Sequence, residues 1–363
     1  MKKSFLILAV GSAILGFTSC SKDEKIAENN SINDANVINF RANANGLTRA
    51  ADIINAADLK SFNVYAFKTG ETTPAYFSNV PFTGPTTYNS EQKYYWPSYN
   101  LDFYAWSANS DANGDRTADV TATAYNSYTV TVQADADNQA DFIYASKTNV
   151  AKTATVTELN FSHKESRITL SVKNTSANLR FDIVGWRIGF AAPSGSTTNG
   201  GTTWTPASAA ATNVFTATEG KTANANSAAS AFTKAQIMIP QTISPVTAYA
   251  SDATDALVNN AYIAVKYKAQ NTTNNEWVVG SSAADSEIWG IWPITAITWL
   301  PGKQYNYTLD IAEGGYYEKN TAAGSGSVLD PILGSYIKFA SVIVTDWDQT
   351  SPAGDQSVLP MNP

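Results

Sequence analysis

Apolar and polar residues alternate one for one along several stretches of the chain. Ile168, Leu170 and Val172 are interleaved with Arg167, Thr169 and Ser171; Ile263, Val265 and Tyr267 with Ala264 and Lys266; and Tyr305, Tyr307, Leu309 and Ile311 with Asn306, Thr308 and Asp310. A period of two puts one set of side chains on one face of a strand, so each stretch predicts a half-buried antiparallel strand. Short runs of aromatic and β-branched residues at 62–68, 101–106, 125–132, 142–145, 156–161 and 337–347 predict further strands. Helical spacing is confined to one short stretch, 52–59. Many short strands punctuated by Gly, Pro and Asn predict an all-β chain built of sandwiches.

One strand changes phase. Phe181 and Ile183 share one parity, Trp186, Ile188 and Phe190 share the other, and Gly185 stands between them. A bulge at Gly185 would return both sets to the core side. The strands group into two sandwiches in tandem, residues 37–155 and 156–347, joined in the polar stretch 148–158 and followed by a tail, 348–363. Residues 194–203 and 222–231, rich in Ser, Thr, Ala, Gly and Asn, read as surface loops.

The N-terminal end is patterned differently. Lys2 and Lys3 precede an apolar stretch, residues 5–17, broken only by Gly11, Ser12 and Gly16. This is the pattern of a secretory signal peptide, residues 1–19, and it falls short of the roughly 20 residues that a spanning helix needs. Cys20, the only cysteine, follows Ser19 where a bacterial lipoprotein is cut and acylated. Its thiol would carry the lipid that tethers the precursor to the outer membrane. An ordinary signal sequence with a free thiol is the alternative. Residues 20–36 are polar and resemble the tether of surface lipoproteins of Bacteroidota, in which an acidic pair such as Asp23-Glu24 directs export; a plain solvated linker also fits. A single cysteine leaves no disulfide within the exported fold, so stability rests on a core.

Composition allows such a core. Hydrophobic residues make up 44% of the chain and aromatic residues 12%, while 15% are charged, below the roughly 25% of an average domain. The net charge of −7 disfavours nucleic acid and anionic membrane surfaces as partners.

Catalytic chemistry has few footholds. His163, the only histidine, lies beside a strand start, and the chain lacks the G-x-S-x-G turn of a hydrolase nucleophile. It reads as a strand-edge residue with a local hydrogen bond. No H-E-x-x-H, cysteine pair or histidine cluster offers a transition-metal site, and no cofactor is expected. Gly324-Ser325-Gly326-Ser327 lacks the Lys of a P-loop. Asp111, Asn113 and Asp115 are spaced like calcium ligands, but Arg116 and Ala122 stand where an EF-hand needs Gly and a carboxylate. They read as a hairpin turn, as do Asp135, Asp137 and Asp141. A carboxylate-based hydrolase stays open, because its acid pair meets only in the fold. Tyr94, Tyr95, Trp96, Trp289, Trp292 and Trp299 are suited either to stack on sugar rings or to fill the core, and Trp204 is the best exposed candidate. A monomeric glycan-binding surface lipoprotein is therefore one reading.

A string of short motifs supports another. Ile38-Asn39-Phe40, Thr48-Arg49-Ala50, Phe62-Asn63-Val64-Tyr65-Ala66-Phe67, Tyr95-Trp96-Pro97, Leu101-Asp102-Phe103-Tyr104-Ala105, Asp141-Phe142-Ile143-Tyr144-Ala145, Leu159-Asn160-Phe161-Ser162-His163, Ile239-Pro240-Gln241, Leu300-Pro301-Gly302-Lys303-Gln304-Tyr305 and Val344-Thr345-Asp346-Trp347 follow one another in that order. Behind a lipidated cysteine, the series resembles the fimbrillin family of Bacteroidota lipoproteins over nearly the whole mature chain.

The resemblance implies two tandem transthyretin-like antiparallel β-sandwiches. It also implies a non-enzymatic subunit of an adhesive type V pilus, in shaft, tip or anchor, at the outer membrane or cell surface. In that family a trypsin-like protease cuts after an Arg in the N-terminal loop and the first strand leaves. Here the bond is Arg49-Ala50, with Arg41 as an alternative that abuts the strand, and the removable strand is Val37, Ile38, Asn39 and Phe40. A strand donated by a neighbouring pilus subunit would fill the groove by main-chain pairing. The donor is either the 337–347 strand or the tail. The tail, with Pro352, Pro360 and Pro363 and a short apolar patch at Val358-Leu359, departs from a long alternating strand.

Overall fold

The alternating stretches become strands in a computed structural model that describes residues 36–43, 59–110, 114–115, 119–210, 212–244, 261–294, 296–317, 332–333, 339–347 and 357–359. The strands of the N-terminal half are β1 (Phe40–Asn43), β2 (Ser61–Lys68), β3 (Ala75–Thr83), β4 (Leu101–Ser110), β5 (Gly114–Asp115), β6 (Val120–Ala124), β7 (Ser127–Thr131), β8 (Asp141–Val150), β9 (Thr157–Asn160) and β10 (Ser162–His163). Next come β11 (Ser166–Asn174), β12 (Leu179–Gly189), β13 (Ser194–Thr198), β14 (Thr203–Pro206), β15 (Val214–Ala223), β16 (Ser227–Ala231), β17 (Gln236–Met238) and β18 (Gln241–Ile243). The last are β19 (Tyr262–Asn271), β20 (Trp277–Val279), β21 (Ile288–Pro293), β22 (Ile297–Trp299), β23 (Lys303–Asp310), β24 (Tyr316–Tyr317), β25 (Phe339–Asp346) and β26 (Ser357–Leu359).

An antiparallel sheet in the order β10-β8-β4-β2-β3 carries the N-terminal half, and both its faces are covered. Val64, Ala66, Phe103 and Ala105 join a core with Ile38, Phe40, Leu159 and Phe161. On the other face, Tyr65, Phe67, Trp106 and Phe142 pack with Tyr128 and Val130. Burial on both sides explains why 62–67 reads as a nearly continuous apolar run. The covering sheet has the order β14-β13-β7-β6, so it draws strands from both halves of the chain.

In the C-terminal half, the sheet β16-β11-β23-β25-β26 packs against the sheet β15-β12-β19-β21-β24. Ile168, Leu170, Tyr305 and Tyr307 from the first meet Trp186, Ile263, Val265 and Trp292 from the second, all buried. The described residues all fall within one compact unit.

Several expectations change in the fold. β11 runs parallel to β23, with Ile168 opposite Tyr305 and Leu170 opposite Tyr307, while its other edge is antiparallel to β16 and β17, as β25 is to the far side of β23. Alternation encodes which face is buried and carries nothing about direction. The supposed loops at 194–203 and 222–231 contain β13 and β16, whose small side chains leave a weak apolar signal while the backbone pairs with neighbours, β13 on both edges and β16 on one. At Gly185 the register slips against both β15 and β19, and Phe181, Ile183, Trp186 and Ile188 are all buried. Phe190 lies beyond the strand end at φ 54° and packs instead with Tyr262, Ala264 and Ile291 in a separate cluster. Of the short helical stretch, residues 52–58 lie outside the described residues, and Leu59 is buried in the N-terminal core.

Candidate functional site

Residues 36–43 thread between two neighbours. Toward residues 88–96, Ile38 N–H donates to Tyr94 O (2.8 Å), Phe40 N–H to Tyr88 O (3.1 Å), Tyr88 N–H to Phe40 O (2.8 Å) and Trp96 N–H to Asn36 O (3.0 Å). Val37 forms an antiparallel bridge with Tyr95. On the other edge β1 lies parallel to β9, from Phe40 opposite Thr157 to Asn43 opposite Asn160, and Thr157 N–H donates to Asn39 O at 3.0 Å. Both edges are thus paired, as a buried backbone requires.

The side chains alternate in burial. Ile38 and Phe40 are wholly buried and Ala42 nearly so, while Arg41 is exposed. Phe40 stands edge-on in a box of Phe82 (4.8 Å between ring centroids), Phe103 (5.1 Å) and Phe62 (6.2 Å). Edge-to-face aromatic packing is favourable, and full burial of an Ile or Phe is worth about 1.5–3 kcal/mol. The seam with β9 is less well satisfied. Asn39 Oδ1 and Thr157 Oγ1 are both buried without a hydrogen-bond partner, at a cost of roughly 1–3 kcal/mol each. The strand is held by its apolar face and its main chain while two polar atoms work against it.

Among the residues expected to act here, Cys20, Arg49 and Ala50 lie outside the described residues. The chain leaves β1 at Asn43 and is described again from Leu59, so Arg49-Ala50 falls in the intervening connection. Arg41 pairs with Glu158 at 4.0 Å with both side chains about half exposed (52% and 55%), a contact of little energetic weight.

The other candidates do not converge. Trp96, Trp292 and Trp299 are core residues, and Trp299 Nε1 donates to the Tyr307 hydroxyl at 3.0 Å. Trp204 is half-buried rather than exposed: its Nε1 donates to Gly201 O (2.9 Å) and its ring packs on Phe142. Trp289 is half-buried beneath the Arg187 guanidinium, 4.0 Å away. Asp135 accepts from Asp137 N–H in a tight turn, and Asp137 pairs with Lys234 at 2.6 Å. Asp111 and Asn113 lie outside the described residues. Among the described residues, no three His, Cys, Asp or Glu side chains are arranged to hold a metal ion.

His163 does end the edge strand β10, but its hydrogen bond is not a local one. It is buried, its Nδ1 lies 2.7 Å from Asp141 Oδ2, and its ring stacks on Trp347 at 4.2 Å and 7°. Beside it Glu165 is fully buried and accepts from Phe142 N–H at 2.9 Å. Burial pushes its carboxyl well above the ordinary 4.5, aided by the nearby Asp141 and Asp119 carboxylates.

The segment 37–40 expected from the sequence falls within the threaded stretch, although β1 itself begins only at Phe40, and the walls carried no such mark. Tyr88 sits among Thr86, Thr87, Asn89 and Ser90, with no alternation to mark it, and β9 reads as an ordinary short strand.

The sequence model of the fimbrillin-like family matches residues 48–330. The chain belongs to the fimbrillin-like family. A search of curated protein sequences finds no match. Among solved structures, the fimbrillin-like chain is similar to a fimbrial protein of Bacteroides vulgatus (13% identity, TM-score 0.48, covering 76% of this chain and 94% of that one). It is also similar to a candidate cell adhesion protein of Bacteroides uniformis (14% identity, TM-score 0.46, covering 86% and 98%). At these identities and scores the likeness carries no argument about function. Membership of the fimbrillin-like family implies a place at the cell surface. Among the described residues, no helix of this fimbrillin-like chain is long and apolar enough to cross a membrane.

Proposed function

We propose that this fimbrillin-like chain is a structural or tip subunit of an adhesive pilus, carried to the outer membrane by a lipid on Cys20. A trypsin-like protease then cuts at Arg49-Ala50 and frees it for assembly. The observation that carries this reading is the threaded segment 36–43, paired along both edges and filling the aromatic box with Phe40. Cutting the connection between β1 and β2 leaves the strand held by non-covalent contacts alone. Its departure would bare main-chain groups on residues 88–96 and on β9, together with Phe62, Phe82 and Phe103. Such an edge is a template for another chain's strand. The box asks that strand for an extended segment with large apolar side chains two residues apart. No catalytic chemistry is assigned to the chain.

Limited trypsin treatment of the lipid-free precursor tests this. Cleavage after Arg49 followed by SDS-resistant ladders is expected, and Arg49→Ala should abolish both. A cleaved product that stays monomeric, or ladders that persist in Arg49→Ala, overturns the assembly route or the assigned bond respectively.

A further inference from the structure

The groove and the C-terminal end of β25 are joined by a short, continuous set of contacts. Among the described residues, β1 is the only strand laddered to β9. The rings add a second connection, since Phe62 touches both Phe40 (6.2 Å) and Phe161 (5.1 Å), just past the end of β9. Two residues further on, His163 is clasped by Asp141 and presents its flat face to Trp347. Trp347 closes β25, is buried, and its N–H donates to Gly302 O at 3.0 Å; Gly302 N–H in turn donates to Glu165 O at 2.8 Å. The C-terminal tail begins immediately after Trp347.

We infer that occupancy of the groove is coupled to the anchoring of Trp347, through β9, Phe161 and His163. The element with two states is β9, which is laddered when a strand lies in the groove and has a bare edge when none does. With the strand in place, residues 157–163 are fixed at both ends, by β1 and by β8, and the His163 ring is held flat against Trp347. Without it, the segment loses one of these supports and the stacking surface loosens. Coupling of this kind is reciprocal, so a well-anchored Trp347 also favours a filled groove. Placed on the proposed strand-exchange function, the coupling gives growth an order. A subunit whose groove is filled holds the root of its tail in a defined direction, and one whose groove is empty does not.

Hydrogen exchange on the uncleaved full chain tests the coupling without relying on processing or polymerisation. Phe40→Ala weakens the resident strand. It should speed exchange at Glu158–Asn160 and, in parallel, at the Trp347 amide by roughly 5- to 150-fold. Amides of Ile263 and Val265, deep in the C-terminal core, should change less than twofold on the order of the measurement error. Should Phe40→Ala fail to fold, Ile38→Val gives the same pattern in milder form. In a His163→Ala background the Trp347 amide should no longer respond to the Phe40 change. Faster exchange in β9 with an unchanged Trp347 amide overturns the coupling and leaves the strand-exchange reading intact. Acceleration at all sites alike also overturns it, as global destabilisation.

Discussion

Glu165 is a carboxylic acid held where water does not reach, and the fold binds its proton more tightly than the unfolded chain does. Because the folded pKa lies above the unfolded one, Glu165's contribution to stability is complete below the unfolded value and is lost as pH climbs through the folded one. Denaturant midpoints should therefore fall as pH rises through that window. Glu165→Gln keeps an acceptor for Phe142 N–H without the charge. It should flatten the profile and raise stability by roughly 1–3 kcal/mol at pH 8. A wild-type profile no steeper than that of the variant would remove Glu165 from the account. Thr157 raises a similar question at the seam of the threaded strand, where its hydroxyl is buried and unsatisfied. Thr157→Val keeps the shape and removes the unpaired oxygen, so it should hold the strand more firmly by up to about 1 kcal/mol. Slower loss of the N-terminal fragment after proteolysis would show this. Neither residue was legible in the sequence. Unpaired polar atoms and lost hydration depend on neighbours brought from elsewhere in the chain, and Phe142 and Asp141 lie far from Glu165 along it.

Strands with large alternating side chains announce themselves, and β11, β19 and β23 were readable as strands, although Arg167, Thr169 and Ala264, read as their outward face, are buried. The bulge at Gly185 was also readable, because Trp186 and Ile188 switch parity relative to Phe181 and Ile183. A Cβ at position 185 would lie 2.8 Å from Ala217 O, a backbone atom that cannot swing aside. Gly185→Val should cost roughly 1–3 kcal/mol by overpacking the seam between β12 and β15, read as a lower denaturant midpoint. β13 and β16 were not legible for the converse reason. Their Ser, Thr, Gly and Ala residues bury little side-chain surface, and what holds them is main-chain pairing that composition does not report. Strand direction escaped for the same cause. The ladder between β11 and β23 is parallel, and period-two burial is identical in either sense.

At the scale of the molecule, the fimbrillin-like chain is stitched across its middle. β6 and β7 from the N-terminal half complete a sheet with β13 and β14 from the C-terminal half, and one continuous core runs from Tyr65 and Trp106 to Trp186 and Trp299. Elements that share a sheet and a core lose their packing together. Calorimetry should show a single transition whose calorimetric and van't Hoff enthalpies agree, and two resolved transitions would show that the halves unfold independently. A tandem reading of the sequence had no means to find this sheet, since its strands lie some sixty residues apart, about the separation of Val130 and Gly195.

The threaded segment has unlike neighbours, an antiparallel edge at residues 88–96 and a parallel one at β9. Antiparallel and parallel ladders space and slant their hydrogen bonds differently. A strand entering backwards would therefore present its donors and acceptors out of step with both walls. Under the proposed function, this makes the joint between subunits a one-way fitting. Each junction would be head-to-tail, and a head-to-tail contact that does not close on itself builds an open filament. Such a filament is a vector rather than a rod, with one terminus that only receives and another that only gives.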